Sequence, residues 1–208
     1  MRRAAIRRKQ KARAYHHGEL RAALIAAART ILEREGLESL SLRATARRAG
    51  VSQAAPYHHF TDKQALLAAV AASGFDGLTD QMQEGMAGRA TAMDRFCATG
   101  VAYVAFATAN PALFRLMFAG QKPSSDPALA AAASGAHLVL QEATREALRA
   151  EGRAESELPL ASLAAWSLVH GLAKLIVETD VRPADYGADS PQALAQSMLV
   201  SDSIVRTH

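Results

Sequence analysis

Residues 41–63, with the sequence SLRATARRAGVSQAAPYHHFTDK, constrain the fold of this 208-residue chain more than any other stretch. Ser41 is placed to cap one short helix, and Gly50 is placed to end it, because a helix C-terminus favours a residue that adopts positive φ. Ser52 is placed to cap a second short helix by accepting a hydrogen bond from a backbone N–H of its first turn. Two helices joined by a tight turn that contains glycine predict a helix-turn-helix, whose second helix enters the major groove of DNA.

The charges of the chain are distributed unevenly, in a way that fits a nucleic-acid partner at its N-terminal end. Residues 1–65 carry 14 Lys and Arg against 5 Asp and Glu, a net charge of +9, whereas residues 66–208 carry 10 against 15, a net charge of −5. Residues 1–14 alone hold seven basic residues and no acidic one. Such a segment cannot bury apolar surface, so we expect a disordered basic arm over residues 1–18. This arm either follows DNA phosphates and reaches the minor groove, or only keeps the chain soluble.

Several side chains of the helix-turn-helix are not needed for its core and could contact DNA. The side chain of Gln53 can pair with adenine, and the methyl groups of Ala54 and Ala55 can contact thymine. Ser41 and Ser52 lie at helix starts, where free backbone N–H groups bind phosphates. The sequence therefore predicts base contacts from the beginning of the second helix and phosphate contacts from both helix starts.

The segment AGVSQAAPYHHFTDKQALL resembles the DNA-binding signature of TetR-type transcriptional regulators, and the resemblance extends over residues 19–67. It implies base contacts from residues 53–55 and a contact from Arg43 to either a base or a phosphate. It also implies a set of contacts near the DNA backbone, in which His58 could face a base as well: Tyr57, His58, His59 and Lys63.

The resemblance has two mild departures and continues in the C-terminal part of the chain. Thr45 stands where the family usually has an aliphatic residue, and Pro56 lies in the first half of the second helix. Farther along, NPALFRLMFAG and AWSLVHGLAKLIVE resemble the subgroup whose C-terminal domain is named for a Trp-His-Gly pattern, here Trp166, His170 and Gly171.

Apolar residues recur at helical spacing along the chain and predict an all-α fold with about nine helices. Helix starts are marked by a capping residue followed by proline at positions 110, 126 and 190, while Thr61 and Gln64 could form a capping box. Residues 121–125 are predicted to form a loop. The predicted domains are the basic arm (1–18), a helix-turn-helix domain (19–65) and an effector-binding and dimerisation domain (66–208).

The resemblance implies that the C-terminal helices enclose a ligand pocket and pair two subunits as a homodimer. Pairing would use the last two helices, residues 160–177 and 191–205. The first of these is apolar nearly all round, so its outer face needs a partner as well. An apolar cavity with a few polar groups suits an apolar or aromatic ligand, whose identity the sequence does not reveal. Plain core packing is the alternative for each candidate pocket residue: Phe96, Tyr103, Met117, His137, Trp166 and His170.

The sequence contains no motif typical of an enzyme or of a cofactor site, so neither catalytic residues nor a cofactor are predicted. Neighbouring histidines at positions 16–17 and 58–59 point apart on a helix and have no Cys or acidic cluster beside them, so no metal site is predicted. A single cysteine and the lack of a long uncharged apolar run are typical of a cytoplasmic protein with no membrane span or secretion signal.

These observations favour a sequence-specific regulator, and most simply a repressor that a small, largely apolar ligand releases from a pseudo-palindromic operator in double-stranded DNA. A dimer doubles the few base contacts of one short helix and matches the two-fold symmetry of such an operator. Two alternatives remain open at this point. One is a regulator that activates or does not respond to a ligand, and the other is a helical binding module that does not act on DNA.

Overall fold

The computed structural model describes residues 2–119 and 126–201, and the side chains of residues 19–119 and 126–200. The predicted loop over residues 121–125 and the end of the second predicted pairing segment, residues 202–205, lie outside this part. The described residues contain no strand, which confirms the all-α prediction, with eight α-helices in place of about nine. The α-helices are α1 (Arg2–Glu35), α2 (Leu42–Ala49), α3 (Lys63–Met86), α4 (Ala92–Ala109), α5 (Pro111–Phe118), α6 (Pro127–Ala150), α7 (Leu158–Glu178) and α8 (Pro191–Ser201). The described part of the chain also contains three 3₁₀ helices, Ala55–His58, Glu155–Glu157 and Pro183–Tyr186.

The chain divides into two compact units, Met1–Ala71 and Ala72–His208, with the division inside α3. The sequence had suggested a division between residues 65 and 66, earlier in the same helix. In the first unit, α1 packs against α2, and α2 packs against the 3₁₀ helix Ala55–His58. The guanidinium of Arg21 lies 5.4 Å from the centre of the Phe60 ring. The small core of this unit consists mainly of Leu24, Ala28, Ile31, Leu40, Leu42, Ala46, Phe60 and Leu66.

The first helix is longer than the sequence analysis expected. The expectation was a disordered arm before residue 19, whereas α1 is continuous from Arg2 to Glu35. The physical reason lies in the composition of residues 2–17, which consist largely of Arg, Ala and Lys and contain no Gly or Pro. These residue types have high intrinsic helix propensity, so a helix that starts in the core can continue through them. Gly36, at φ +83°, ends the helix as predicted.

The second unit is built around α4, which packs against α6, α7 and α8. Gly100 makes this close packing possible. A Cβ atom at Gly100 would lie 2.6 Å from Cδ1 of Leu199 and 3.0 Å from Cγ1 of Val169, so a larger residue would force the Leu199 side chain to move. The remaining side chains of α4 are buried on nearly all sides, which fits a central helix.

Local capping residues set the helix starts in this unit. Thr91 and Asp94 form a capping box at α4, with the Asp94 N–H donating to the Thr91 hydroxyl at 3.0 Å. The carboxylate of Asp126 caps α6 as predicted, accepting from two backbone N–H groups at 2.9 and 3.0 Å. The prediction for Asn110 needs correction, because its side-chain amide donates back to the Phe106 carbonyl at 3.0 Å and does not cap α5.

Helix α7 has one buried and one exposed apolar face. The buried face includes Ala165 and Val169, whereas Leu160, Leu163 and Leu175 on the other side are 74, 53 and 49% exposed. Among the described residues, the stretch Glu155–Glu178 is long and apolar enough to cross a membrane, a test that core helices of soluble proteins also pass. Burial of one face in the core explains part of this apolarity, whereas Leu160, Leu163 and Leu175 leave the other face exposed.

Candidate nucleic-acid interface and ligand cavity

Backbone hydrogen bonds determine the geometry of the turn after α2. Ser41 caps α2 as predicted, because its hydroxyl oxygen accepts the Ala44 N–H at 3.1 Å. At the other end, Gly50 has φ +69° and its N–H donates to the Arg47 carbonyl at 3.3 Å. The next N–H, that of Val51, donates to the Ala46 carbonyl at 3.1 Å. This pair of bonds is a Schellman motif, which turns the chain sharply after α2.

The second helix of the predicted helix-turn-helix is shorter than expected. The sequence predicted an α-helix capped by Ser52, whereas this segment forms turns followed by the 3₁₀ helix Ala55–His58, which no side chain caps. Its bonds span three residues: the Ala55 N–H donates to the Ser52 carbonyl at 3.0 Å, and the His59 N–H donates to the Pro56 carbonyl at 2.9 Å. Pro56 has no N–H to donate to the Ser52 carbonyl, so the α-helical bond at this position cannot form. Proline therefore has a larger effect here than the sequence analysis assumed.

The ten predicted DNA-contacting residues lie on three consecutive elements: the start of α2, the turn with its 3₁₀ helix, and the start of α3. Tyr57 is 53% exposed, whereas the nearby Phe60 is 3% exposed and belongs to the core. This difference separates a side chain that is available to DNA from one that only packs. Three of the ten are half-buried, Ala55, His59 and Lys63, and seven are exposed, Ser41, Arg43, Ser52, Gln53, Ala54, Tyr57 and His58.

The start of α3 differs from the predicted capping box of Thr61 and Gln64. The residue that caps α3 is Asp62, whose carboxylate accepts the Ala65 N–H at 2.8 Å. The Thr61 hydroxyl instead donates to the same carboxylate at 3.4 Å. A carboxylate at this place also interacts favourably with the positive end of the helix dipole, which a threonine hydroxyl does not.

The side chain of Lys63 has a structural contact in addition to its predicted role at DNA. Its ammonium group donates to the Leu37 carbonyl at 3.3 Å, which ties the start of α3 to the loop after α1. Lys63 remains half-exposed. An ammonium group has three donors, so this contact leaves the group able to meet a phosphate.

A cavity of about 710 Å³ lies in the second unit, between α3, α4, α5, α6 and α7. Four of the six predicted pocket residues line it, Tyr103, Met117, His137 and Trp166. Phe96 does not line the cavity but is 2% exposed in the helical core. His170 does not line it either, although its ring lies 5.7 Å from that of Trp166 and so forms part of the layer behind the wall.

Most of the wall consists of residues that the sequence analysis did not select. Helix α3 contributes Phe75, Leu78 and Met82, whose spacing of three and four residues is typical of one helix face. Such a face could have been recognised, but its spacing does not distinguish a cavity wall from a packed core. The other lining residues that were missed are Phe118, Ala130, Ala133, Ser134, Ala136, Leu138 and Leu140.

The polar groups behind the cavity wall form a short hydrogen-bonded chain. The hydroxyl of Tyr103 lies 2.8 Å from Nδ1 of His170. Burial raises the pKa of Tyr103 far above its ordinary value, against a smaller opposing effect of a hydrogen bond from Trp166. Burial also lowers the pKa of His170, as does the charge of Lys174, while Glu178 opposes this effect. The hydrogen bond between the Tyr103 hydroxyl and His170 Nδ1 links α4 to α7 behind the cavity wall.

Within the described residues, no group of three or more His, Cys, Asp or Glu side chains is arranged to hold a metal ion. Histidines 16 and 17 lie outside the part whose side chains are described. His58 is exposed at the end of the 3₁₀ helix and belongs to the surface predicted to face DNA.

Two family models match the chain. The model described as bacterial regulatory proteins of the tetR family matches residues 24–70, and the one described as a tetracyclin repressor-like C-terminal domain matches residues 96–201. One match lies in each of the two compact units. No curated protein sequence matches the chain.

Solved structures with a similar fold include regulators of this family. A protein of unknown function from Rhodococcus sp. RHA1 is 34% identical, with a TM-score of 0.75 over 92% of this chain and 96% of that one. FadR from Bacillus subtilis, solved in complex with stearoyl-CoA, is 17% identical, with a TM-score of 0.69 over 90% and 99%. The TetR-family regulator PfmR from Thermus thermophilus is 19% identical, with a TM-score of 0.62 over 88% and 97%. The chain thus belongs to the TetR family of bacterial transcriptional regulators, with an N-terminal helix-turn-helix DNA-binding domain and a C-terminal ligand-binding domain.

Proposed function

We propose that the protein is a dimeric repressor that leaves a pseudo-palindromic operator when a small, largely apolar ligand occupies the cavity of the second unit. The observation that carries this proposal is the path of α3. The helix starts at Lys63, among the residues predicted to meet DNA, and continues to Phe75, Leu78 and Met82, which line the cavity. A ligand that displaces the cavity wall therefore acts on the same helix that carries a DNA-contacting residue.

Dimerisation through the last two helices is supported by their exposed apolar surface. Leu160, Leu163 and Leu175 on α7 and Val200 on α8 are all at least 49% exposed. A Cβ atom added to Gly171 would meet nothing within 4 Å, so the outer side of α7 has room for a close helix from a second subunit. Two DNA-binding domains held about 34–36 Å apart would then reach half-sites one turn of duplex apart.

The ligand changes operator affinity only as far as it binds one conformation of the dimer better than the other. In the repressor proposed here, the ligand favours the conformation whose DNA-binding domains do not fit two successive half-sites. Binding of operator and ligand are then mutually antagonistic, and each weakens the other by the same factor.

At DNA, Gln53 serves as a base-reading residue and Lys63 as a phosphate contact. Replacing Gln53 by Ala should cost about 1–3 kcal/mol of binding free energy and relax the preference at one base pair. The matched control is Gln141→Ala on α6, which leaves operator binding unchanged. Replacing Lys63 by Ala should weaken binding to all sequences alike and reduce the slope of log affinity against log salt concentration by about one. Lys63→Arg should preserve both the affinity and this slope.

The decisive experiment selects bound sequences from a random duplex pool and measures the affinity of the winner against salt and against candidate ligands. A two-fold symmetric winner that the protein releases on ligand binding supports the repressor. A symmetric sequence that stays bound in the presence of every ligand supports a regulator that does not respond to small molecules. A ligand that strengthens operator binding supports a regulator that binds DNA in its ligand-bound form. No enrichment over random DNA would contradict operator binding and would favour the alternative of a helical binding module that does not act on DNA.

A further inference from the structure

We propose that the cavity accepts an uncharged ligand, an apolar molecule with one hydroxyl or carbonyl group, and that it discriminates against carboxylates, phosphates and acyl-CoA esters. This inference rests on the proposed function, because it names the chemistry of the ligand at the same site. It sets this chain apart from FadR of Bacillus subtilis, which was solved with stearoyl-CoA.

The described wall of the cavity contains no Lys, Arg, Asp or Glu. A carboxylate or phosphate buried against such a wall would lose its hydration and gain no counter-charge, which makes its burial strongly unfavourable. Acidic ligands in proteins are usually met by Arg, Lys or a set of free N–H groups. Their absence from the described lining is the first observation that points to an uncharged ligand.

Cationic groups on the surrounding helices already have partners. Arg95 pairs with Glu146 at 2.8 Å, between α4 and α6. Lys174, one turn after His170 on α7, pairs with Glu178 at 3.3 Å. Arg115 on α5 donates to a carbonyl at the end of α7 at 2.6 Å. These contacts already compensate part of the positive charge on each group, and none of the three residues lines the cavity.

The N-terminus of α6, which begins beside the cavity wall, is also closed to an anion. The N–H groups of Ala128 and Leu129 have no partner within the helix, and both donate to the carboxylate of Asp126. This carboxylate compensates the positive end of the helix dipole and would repel a second negative charge. Ala130, the next residue along, is the first of α6 that lines the cavity.

The wall instead offers apolar and aromatic surface with two available polar tips. Phe75 and Phe118 meet edge to face at 5.4 Å between ring centres. The Tyr103 hydroxyl is already bonded to His170, which leaves it less hydrogen-bonding capacity for a ligand. Ser134 and His137 lie one turn apart on α6, both are exposed and line the cavity, and no hydrogen bond within the described residues engages either of them. A single hydroxyl or carbonyl of the ligand can bond there while its apolar body fills the cavity.

The chain contains one tryptophan, Trp166, which lines the cavity and provides a specific fluorescence signal. The full-length protein is titrated at pH 8, where histidines in general are uncharged, with two matched pairs of probes. The first pair is decan-1-ol and decanoate, with decanoyl-CoA as a third member, and the second is adamantan-1-ol and adamantane-1-carboxylate. We expect saturable binding in which the alcohol of at least one pair binds at least tenfold more tightly than its carboxylate.

Variants show whether the signal comes from this cavity. Ala133→Phe fills the cavity from α6 and should abolish binding, whereas Ala131→Phe, an exposed position on the same helix outside the lining, should leave it unchanged. Ser134→Ala and His137→Phe should each weaken the alcohols severalfold. Leu138→Lys adds a cation to the wall and should tighten decanoate at least tenfold.

A carboxylate or CoA ester that binds as tightly as the matching alcohol would overturn this inference, and so would the failure of every probe to bind. Operator affinity, measured in parallel with each probe, reports separately on the proposed function. Alcohols that bind without releasing DNA would support the ligand class and contradict the release mechanism. Carboxylates that bind more tightly and release DNA would support the repressor and contradict the ligand class.

Discussion

Replacing Gly74 by Ala tests how tightly α3 packs against α5 at the cavity wall. Gly74 is buried in α3, and a Cβ atom at this position would lie 2.6 Å from Sδ and 2.9 Å from Cγ of Met117. Cδ1 of Leu113 would lie 3.2 Å away. The added methyl group therefore cannot fit unless Met117 moves. Gly77, three residues later in the same helix, is a matched control, because its Cβ would lie 3.5 Å from Cε2 of Phe106, an ordinary contact.

The expected magnitudes follow from two opposing effects. Glycine to alanine inside a helix stabilises the folded state by about 0.5–1 kcal/mol, and Gly77→Ala should gain this amount. At Gly74 the same gain is opposed by overpacking, which typically costs about 1–3 kcal/mol. The two variants should therefore differ by about 1–3 kcal/mol. For a chain of this length, that is a difference of about 2–12 °C in Tm.

The assay is thermal unfolding followed by circular dichroism, with all proteins at the same concentration because dimerisation couples Tm to concentration. Met117 lines the cavity, so its displacement should also weaken binding of apolar probes to Gly74→Ala but not to Gly77→Ala. Combining Gly74→Ala with Met117→Ala should remove the clash. The double variant should then lose less free energy of unfolding than the sum of the losses of the two single variants. If Gly74→Ala raised Tm as much as Gly77→Ala and left probe binding intact, the close approach of Met117 would be refuted.

Three further predictions concern stability. Thr45→Val should stabilise the protein by about 1 kcal/mol, because the buried Thr45 hydroxyl has no hydrogen-bond partner in the described part of the chain. Thr144→Val should destabilise the protein by about 1 kcal/mol, because the Thr144 hydroxyl donates to the Leu140 carbonyl at 2.8 Å. Equal effects in urea unfolding would contradict this reasoning. Asp62→Ala should lower the free energy of unfolding by about 1 kcal/mol and Thr61→Ala by much less, since Asp62 caps α3. A larger loss of Tm for Thr61→Ala would indicate that Thr61 is the capping residue. Burial lowers the pKa of His170, so the unfolded chain binds a proton at this side chain more tightly than the folded protein does. Stability should therefore fall as the pH drops below about 6.5, and it should level off below the lowered pKa. His170→Asn should reduce the loss of Tm between pH 8 and pH 5.5, and an unchanged loss would show that other groups cause it.

Helix boundaries were predictable wherever a local signal set them. Ser41, Gly50 and Asp126 act on backbone groups within four residues of themselves, so their effect can be read without knowing the fold. The corrections also have local causes. Pro56 shortened the second helix because it lacks an N–H, and Asp62 replaced Thr61 as the cap because a carboxylate caps a helix start better.

The cavity was predictable only in part, for a reason that concerns packing. Phe96 and Phe75 are both large apolar side chains on helices, yet only Phe75 lines the cavity. Which of them meets empty space depends on how five helices approach one another, and this depends on small residues such as Gly74 and Gly100. Periodicity indicates that a helix face is buried, but it does not indicate whether side chains or a cavity lie opposite.

The sequence by itself determined the elements of this protein and the kind of domain at its N-terminal end. Caps, glycines, the charge of residues 1–65 and helical periodicity act over a few residues, and the motif of residues 41–63 was enough to identify the family. Tertiary structure alone decided the cavity, the hydrogen-bonded Tyr103–His170 pair behind its wall and the exposed side of α7. These features arise where residues from different helices meet, and burial at such places changes both the pKa of a side chain and the space available to a ligand.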